Sequence, residues 1–196
     1  MMNKGTLIII SGPSGSGKDT VLTELFKKMP ELEFSISSVS RAMRPGETNG
    51  IKYNFISREQ FKSMIETDML LEYNEYCGNF YGTPRKPVEN CIENGREIVL
   101  EVDVNGAANV RKKCSDCFSI FIMPPSFEVL KKRLEGRGTE SKDVVKERLE
   151  QAVSEIKRAS EYDYIVVNDV LETAVDDIYY IIKSERLRTS RFVPEF

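Results

Sequence analysis

Short apolar runs alternate with amphipathic stretches along this chain. Four runs are rich in β-branched residues: Thr6 to Ile10, Ile98 to Val102, Phe118 to Ile122, and Tyr164 to Val167. Their length and composition predict buried strands. Between them, apolar positions recur at helical spacing. Val21, Leu22, Leu25 and Phe26 predict a helix that starts near Lys18, and Asn105 to Lys113 reads as a second. Phe127, Leu130 and Leu134 mark a third after the Pro124-Pro125 break. Val145, Leu149, Val153 and Ile156 mark a fourth, and Val175, Ile178 and Ile182 a fifth. Strands that alternate with helices predict an α/β fold in which helices cover a parallel sheet.

The stretch from Phe34 to Gly82 breaks this rhythm. Leu70 to Tyr76 alternates in part, Cys77 to Phe80 reads as a turn, and Tyr53 to Ile56 is a further short strand. Ser57-Arg58-Glu59-Gln60 has the capping-box pattern and opens a helix at Phe61. These features predict a small, mostly antiparallel lobe inserted after the first strand–helix unit. Thr189 to Phe196 has no period and is expected to be a mobile tail.

With 196 residues, the chain is long enough for one domain with a substantial core. Its net charge of -3 gives no basis for broad binding to nucleic acid or anionic membrane. No apolar stretch approaches bilayer-spanning length, and the N-terminus lacks the anatomy of a secretion signal, so a cytoplasmic protein is expected. The four cysteines have no disulfide-framework spacing, which fits that compartment. Cys114 and Cys117 form a C-x-x-C, but a zinc site would need Cys77 and Cys91 to converge on them; four reduced thiols is the preferred reading. The sequence contains no histidine, which removes Ser-His and Cys-His nucleophile pairs.

The candidate chemistry begins directly after the first strand. Gly12-Pro13-Ser14-Gly15-Ser16-Gly17-Lys18 matches the phosphate-gripping loop G-x-x-x-x-G-K, in the required context of a strand before and a helix after. Glycines let backbone N–H groups approach phosphate oxygens, the helix N-terminus faces the anion, and Lys18 can reach the β- and γ-phosphates. The pattern usually continues with Ser or Thr, whose hydroxyl holds magnesium; here Asp19 stands in that place. Asp19 can ligate the ion directly, act through a water, or point to solvent under the pull of the helix dipole. Direct or water-mediated contact is favoured. Thr20 also carries a hydroxyl but projects about 100° further round the helix. Glu101 and Asp103 end the strand Ile98 to Val102, where ligands of parallel sheets gather, and look like a second acidic element beside the loop.

In order along the chain, "SGPSGSGK", "SVSRAMRPGETNGIKYNF", "LLEYNEYCGNFYGTP", "LEVDVNGA", "FIMPPS", "LKKRLEGRGTES" and "YIVVND" together resemble the guanylate kinase family, from Leu7 to about Arg186. The resemblance implies a phosphate-loop core (1–33, 84–125 and 160–188), an inserted GMP-binding lobe of mixed α/β structure (34–83) and a helical lid (126–159). It implies that Gly12 to Thr20 and Asn168 bind ATP. It assigns the GMP phosphate to Arg41, Arg44, Tyr53 and Tyr81, with Ser37 nearby in the same lobe and Glu101 and Asp103 on the core side. Guanidinium forks suit bidentate phosphate contacts. Glu72 would accept from the adjacent N–H donors of guanine, and Thr83 would offer its hydroxyl to the guanine carbonyl; a base without that donor pair leaves Glu72 unpaired. Arg133, Arg137 and Arg148 would bring lid charge onto the transferring phosphoryl group.

The implied reaction is phosphoryl transfer from ATP to GMP with Mg²⁺, in which Lys18, Arg41, Arg133, Arg137 and Arg148 are the catalytic candidates and Asp19 and Asp103 the metal candidates. GMP and dGMP fit equally, and a monomer or a homodimer is expected. A guanylate-kinase-like module that binds proteins without catalysis is the alternative. The intact loop lysine and glycines speak against it, and Asp19 alone leans towards it.

Overall fold

A computed structural model describes residues 5–76, 78–136 and 142–191. Its centre is a five-stranded sheet in the order β2 (Glu33–Phe34), β7 (Glu97–Glu101), β1 (Thr6–Ser11), β8 (Cys117–Met123), β9 (Tyr164–Val167). Every pairing in it is parallel. All six residues of β1 are buried because helices cover both faces, which is why this strand is a continuous apolar run without alternation. Ile8 and Ile10 face one core with Leu25 of α1 (Lys18–Lys28) and Ile178 of α7 (Leu171–Glu185). Leu7 and Ile9 face the opposite core with Val88 of α3 (Arg85–Glu93) and Ala107 of α4 (Val104–Lys113).

A second sheet, in the order β4 (Tyr53–Phe55), β3 (Ser37–Val39), β6 (Asn79–Pro84), β5 (Leu70–Tyr76), is mixed. β3 pairs parallel with β4 and antiparallel with β6, and β5 and β6 form an antiparallel hairpin. The helix α2 (Arg58–Glu66) has the expected capping box: Ser57 Oγ accepts from Gln60 N, and Gln60 Oε1 accepts from Ser57 N. Phe61 of α2 is fully buried and stacks on Phe80 at 5.2 Å, which fastens the helix to the sheet. The helices α5 (Phe127–Glu135) and α6 (Lys142–Ile156) form a separate pair around Leu130, Leu134 and Ala152.

The structure departs from the sequence reading in several places: β2 and β3 were not read as strands, and Asn79 and Phe80, read as a turn, open β6. The helix α3 lies in a stretch to which the sequence reading gave no element, and Pro87 sits in its first turn. Proline is tolerated there, since the first N–H groups of a helix have no partner within it. Of the tail, 192–196 lies outside the described residues, and its first three residues are structured where no element was read. Thr189–Arg191 forms a 3₁₀ turn, and Arg191 is buried against Glu185, at 3.2 Å, and the hydroxyl of Thr6. Apolar periodicity carries no signal for a buried ion pair. Among the described residues no helix is long and apolar enough to cross a membrane.

Candidate active site

The glycine loop leaves the C-terminal end of β1 and runs into α1. Gly15 and Gly17 have φ of +87° and +84°, a region that L side chains rarely adopt. Pro13 O accepts from Ser16 N at 3.0 Å, and Gly17 O accepts from Thr20 N and Val21 N, so the turn passes directly into the helix. The loop also meets its surroundings closely: a Cβ on Gly17 would overlap Asn168 Nδ2, and one on Gly15 would press on Leu130 and Leu134 of α5. Asn168 is buried and donates from Nδ2 to Ser16 O at 2.8 Å. Ser16 Oγ, on the loop floor, is buried without a hydrogen-bond partner among the described residues.

Two arginines reach the loop from the helical pair. Arg133 of α5 donates to Ser16 O (3.1 Å) and to Asn168 O (3.0 Å), and Arg148 of α6 donates to Ser14 Oγ. Arg137 lies outside the described residues. At the other end of the loop, Lys18 pairs with Glu101 at the end of β7. Glu101 also takes Lys52 Nζ at 2.9 Å, and the same ammonium lies 2.5 Å from Asp19 Oδ1. Partial burial pushes the Asp19 carboxyl up, but Lys52 outweighs it and holds it below its usual value. Thr20 is exposed.

Asp103, by contrast, is committed to its own helix. Oδ1 accepts from Asn105 N and Gly106 N and caps α4, while Oδ2 accepts from Asn74 Nδ2 at 2.9 Å. The cap contributes about 1 kcal/mol to the helix start. Among the described residues no group of three or more His, Cys, Asp or Glu side chains is arranged to hold a metal. A magnesium site needs fewer: one or two carboxylates plus substrate phosphates suffice. Asp19 and Glu101 fit that description, because these two hard-oxygen groups already share one cationic ammonium.

The second sheet brings the remaining candidates together. Glu72 of β5 and Thr83 of β6 are direct cross-strand partners, and Thr83 Oγ1 donates to Glu72 Oε1 at 2.7 Å. Both are buried. Burial pushes the Glu72 carboxyl up to about 7, against the opposing pull of the Thr83 hydroxyl. Gly106 of α4 makes room for it: a Cβ there would lie 2.9 Å from Glu72 Oε2. Ser37, Tyr53 and Tyr81 sit on adjacent strands, with Ser37 opposite Tyr53 and Tyr81 opposite Val39. Arg41 lies over the Tyr53 ring at 5.2 Å and grips Glu47 through two bonds of 2.6 Å. The Arg41 guanidinium holds the Glu47 carboxyl down to about 2. Arg44 is exposed, and its N–H donates to the same carboxylate.

Sequence reasoning missed Lys52, Glu47, Asn74 and Gly106. All four lie in the quoted stretches, but only Glu47 shares its stretch with its partner, Arg41. Only the bidentate preference of arginine for a planar acid group hinted that Arg41 would find a carboxylate when no phosphate is bound.

A glycine loop on the central strand of a parallel sheet, with a lysine at the helix start and arginines converging from a helical pair, defines a phosphate-loop nucleotide kinase. The comparisons with known proteins narrow this class. The guanylate kinase family model matches residues 4–185, and the chain belongs to the guanylate kinase family. It is 46% identical over 189 residues to the guanylate kinase of Desulfitobacterium hafniense, covering 96% of this chain and 94% of that one. It is 45% identical over 193 residues to that of Oceanobacillus iheyensis, covering 98% and 94%. The crystal structure of guanylate kinase from Anaplasma phagocytophilum superposes with a TM-score of 0.80 at 34% identity, covering 97% of this chain and 92% of that chain.

Proposed function

We propose that this chain transfers the γ-phosphate of ATP to GMP, or to dGMP, and yields ADP and GDP or dGDP. The observation that carries the reading is the buried Glu72–Thr83 pair in a lobe that also holds Arg41, Tyr53 and Tyr81. Among the described residues Glu72 has no ion-pair partner, and a buried carboxylate without one is costly unless a ligand supplies donors; the guanine edge supplies two.

The roles follow from charge and position. Gly12 to Gly17 cradle the ATP phosphates with backbone N–H groups, and Lys18 neutralises the β- and γ-phosphates. Ser14, Thr20 and Asn168 complete the ATP side. Arg41, Arg44, Tyr53 and Tyr81 hold the acceptor phosphate, and Glu47 leaves Arg41 when that phosphate arrives. Arg133 and Arg148, together with Arg137, bring positive charge to the transferring group as the lid (126–159) and the lobe (34–83) close over the core and exclude water. The acceptor phosphate is already ionised at pH 7, so no general base is needed and the absence of histidine costs nothing.

Mg²⁺, when bound, would supply charge neutralisation for the ATP phosphates. Asp19 would hold it directly or through water, with Glu101 adjacent. Asp103, with both oxygens occupied by the α4 cap and Asn74, is the weaker ligand of the two. The substrates are those of the cytoplasm, where we place the reaction.

The test is ADP release from ATP and Mg²⁺ with GMP, AMP, UMP or CMP as acceptor. Turnover with GMP alone is expected. Turnover with another base overturns the assignment of Glu72 and Thr83, and a folded sample that turns over none of them overturns the kinase.

A further inference from the structure

We propose that Lys52 is a positioning residue that docks the acceptor lobe onto the phosphate loop through Asp19 and Glu101. This rests on the kinase reading above and adds a residue to it. Lys52 belongs to the loop that leads into β4, whereas its two partners belong to the core: Asp19 to the first turn of α1, and Glu101 to the end of β7. The ammonium lies 2.5 Å from Asp19 Oδ1 and 2.9 Å from Glu101 Oε2. Glu101 in turn pairs with Lys18. Four charges therefore alternate in sign across the gap between lobe and core: Lys18, Glu101, Lys52, Asp19.

The position of this bridge matters because of what flanks it. Lys52 precedes Tyr53, whose ring carries Arg41 at 5.2 Å. Docking Lys52 against Asp19 therefore sets where Tyr53 and Arg41, the clamp for the acceptor phosphate, stand relative to Lys18, the clamp for the donor. In-line transfer needs the two phosphates at a near-attack distance, and displacements of about 1 Å at such a site cost large factors in rate. The arrangement also gives Asp19 a second role beside the metal contact: an exposed carboxylate at a phosphate loop repels its ligand unless a cation answers it, and in the ligand-free protein Lys52 answers it.

The bridge is half-exposed, with the Lys52 side chain 38% accessible and Asp19 70%, so water and salt weaken it. Its effect is accordingly moderate. Lys52→Met is expected to raise the KM for GMP about three- to tenfold while the KM for ATP stays within about twofold. Lys52→Arg keeps the charge and restores most of the loss. Asp19→Asn, which breaks one arm of the bridge, raises the KM for GMP in the same sense; at saturating magnesium the double variant matches Lys52→Met, because Lys52→Met already removes the contact with Asp19 along with that to Glu101.

A ligand-free readout accompanies the kinetics. Amide hydrogen exchange over residues 49–55 should quicken in Lys52→Met and in Asp19→Asn and return towards wild type in Lys52→Arg. Losses that multiply in the double variant, or no rescue by arginine, overturn the proposal. So does quickened exchange with an unchanged KM for GMP, which leaves a bridge that positions nothing. A wild-type protein that turns over no GMP sinks the kinase reading instead, and exchange in the ligand-free variants then decides the bridge by itself.

Discussion

The sharpest consequence of the structure concerns the proton on Glu72. In the ligand-free protein its side chain is buried between β5, β6 and α4, and burial raises its carboxyl from 4.5 to about 7. The Thr83 hydroxyl and the Lys113 ammonium pull the other way and Asp103 adds to the rise, but desolvation dominates. That difference corresponds to about 3 kcal/mol of preference for the neutral form. Two effects follow, with defined signs. The native state keeps a proton between pH 4.5 and 7 that the unfolded chain has released, so this contribution to stability is complete below pH 4.5 and is lost as the pH rises through 7. Guanine, by contrast, presents donors, and only the ionised carboxylate accepts from both. GMP binding therefore expels the proton, and affinity should fall by up to about tenfold per pH unit below 7.

The assay is carbon NMR of protein carrying labelled glutamate carboxyls, titrated without ligand and assigned with Glu72→Gln. One carboxyl resonance titrating near 7, missing in the variant, is expected. The same variant turns an amide N–H₂ towards guanine donors and should lose about 100-fold or more in kcat/KM for GMP. A Glu72 resonance titrating between 4 and 5, or a GMP affinity flat from pH 6 to 8 after allowance for the phosphate's own ionisation near 6, would refute the reasoning.

Other positions make equally specific predictions. Gly106→Ala should raise the KM for GMP, because its Cβ would lie 2.9 Å from Glu72 Oε2, while its contact at 3.1 Å with Val102 Cβ offsets the gain in helix propensity and leaves the melting temperature nearly unchanged; thermal melting and kinetics together check the split. Gly17→Ala should abolish ATP binding in calorimetry, since it combines a φ of +84° with overlap on Asn168, and should cost about 1–2 kcal/mol of stability. Arg191→Ala leaves Glu185, which is 1% exposed, with only the half-exposed Arg188 at 2.9 Å and the Tyr164 hydroxyl as partners, and should lower the urea midpoint by an amount worth about 1–3 kcal/mol. Asp19→Ser should retain turnover and shift the magnesium concentration needed for half-maximal rate; superimposable magnesium titrations would remove Asp19 from the metal site.

The local part of this protein is legible in its sequence. β1 shows itself as an unbroken apolar run because both of its faces are covered, and α2 shows itself because the residues of a capping box lie three apart. The glycine loop is legible for the same reason, as every residue that shapes it falls between Gly12 and Lys18. Such features depend on spacing along the chain, and spacing is what a sequence records. The pairings are different. Glu72 meets Thr83 because the β5–β6 register sets them opposite, and it meets Gly106 because α4 packs beside β5. Lys52 finds Asp19 and Glu101, and Arg191 finds Glu185 and Thr6, only when separate elements are brought side by side. Burial raises the Glu72 carboxyl and charge contact lowers those of Asp19 and Glu47, and neither effect exists in the unfolded chain. The sequence by itself thus determined the long strands of the parallel sheet, most of the helices and the loop, whereas the charges that meet across the site were decided by tertiary packing, because electrostatic interaction depends on distance through space and on exclusion of water.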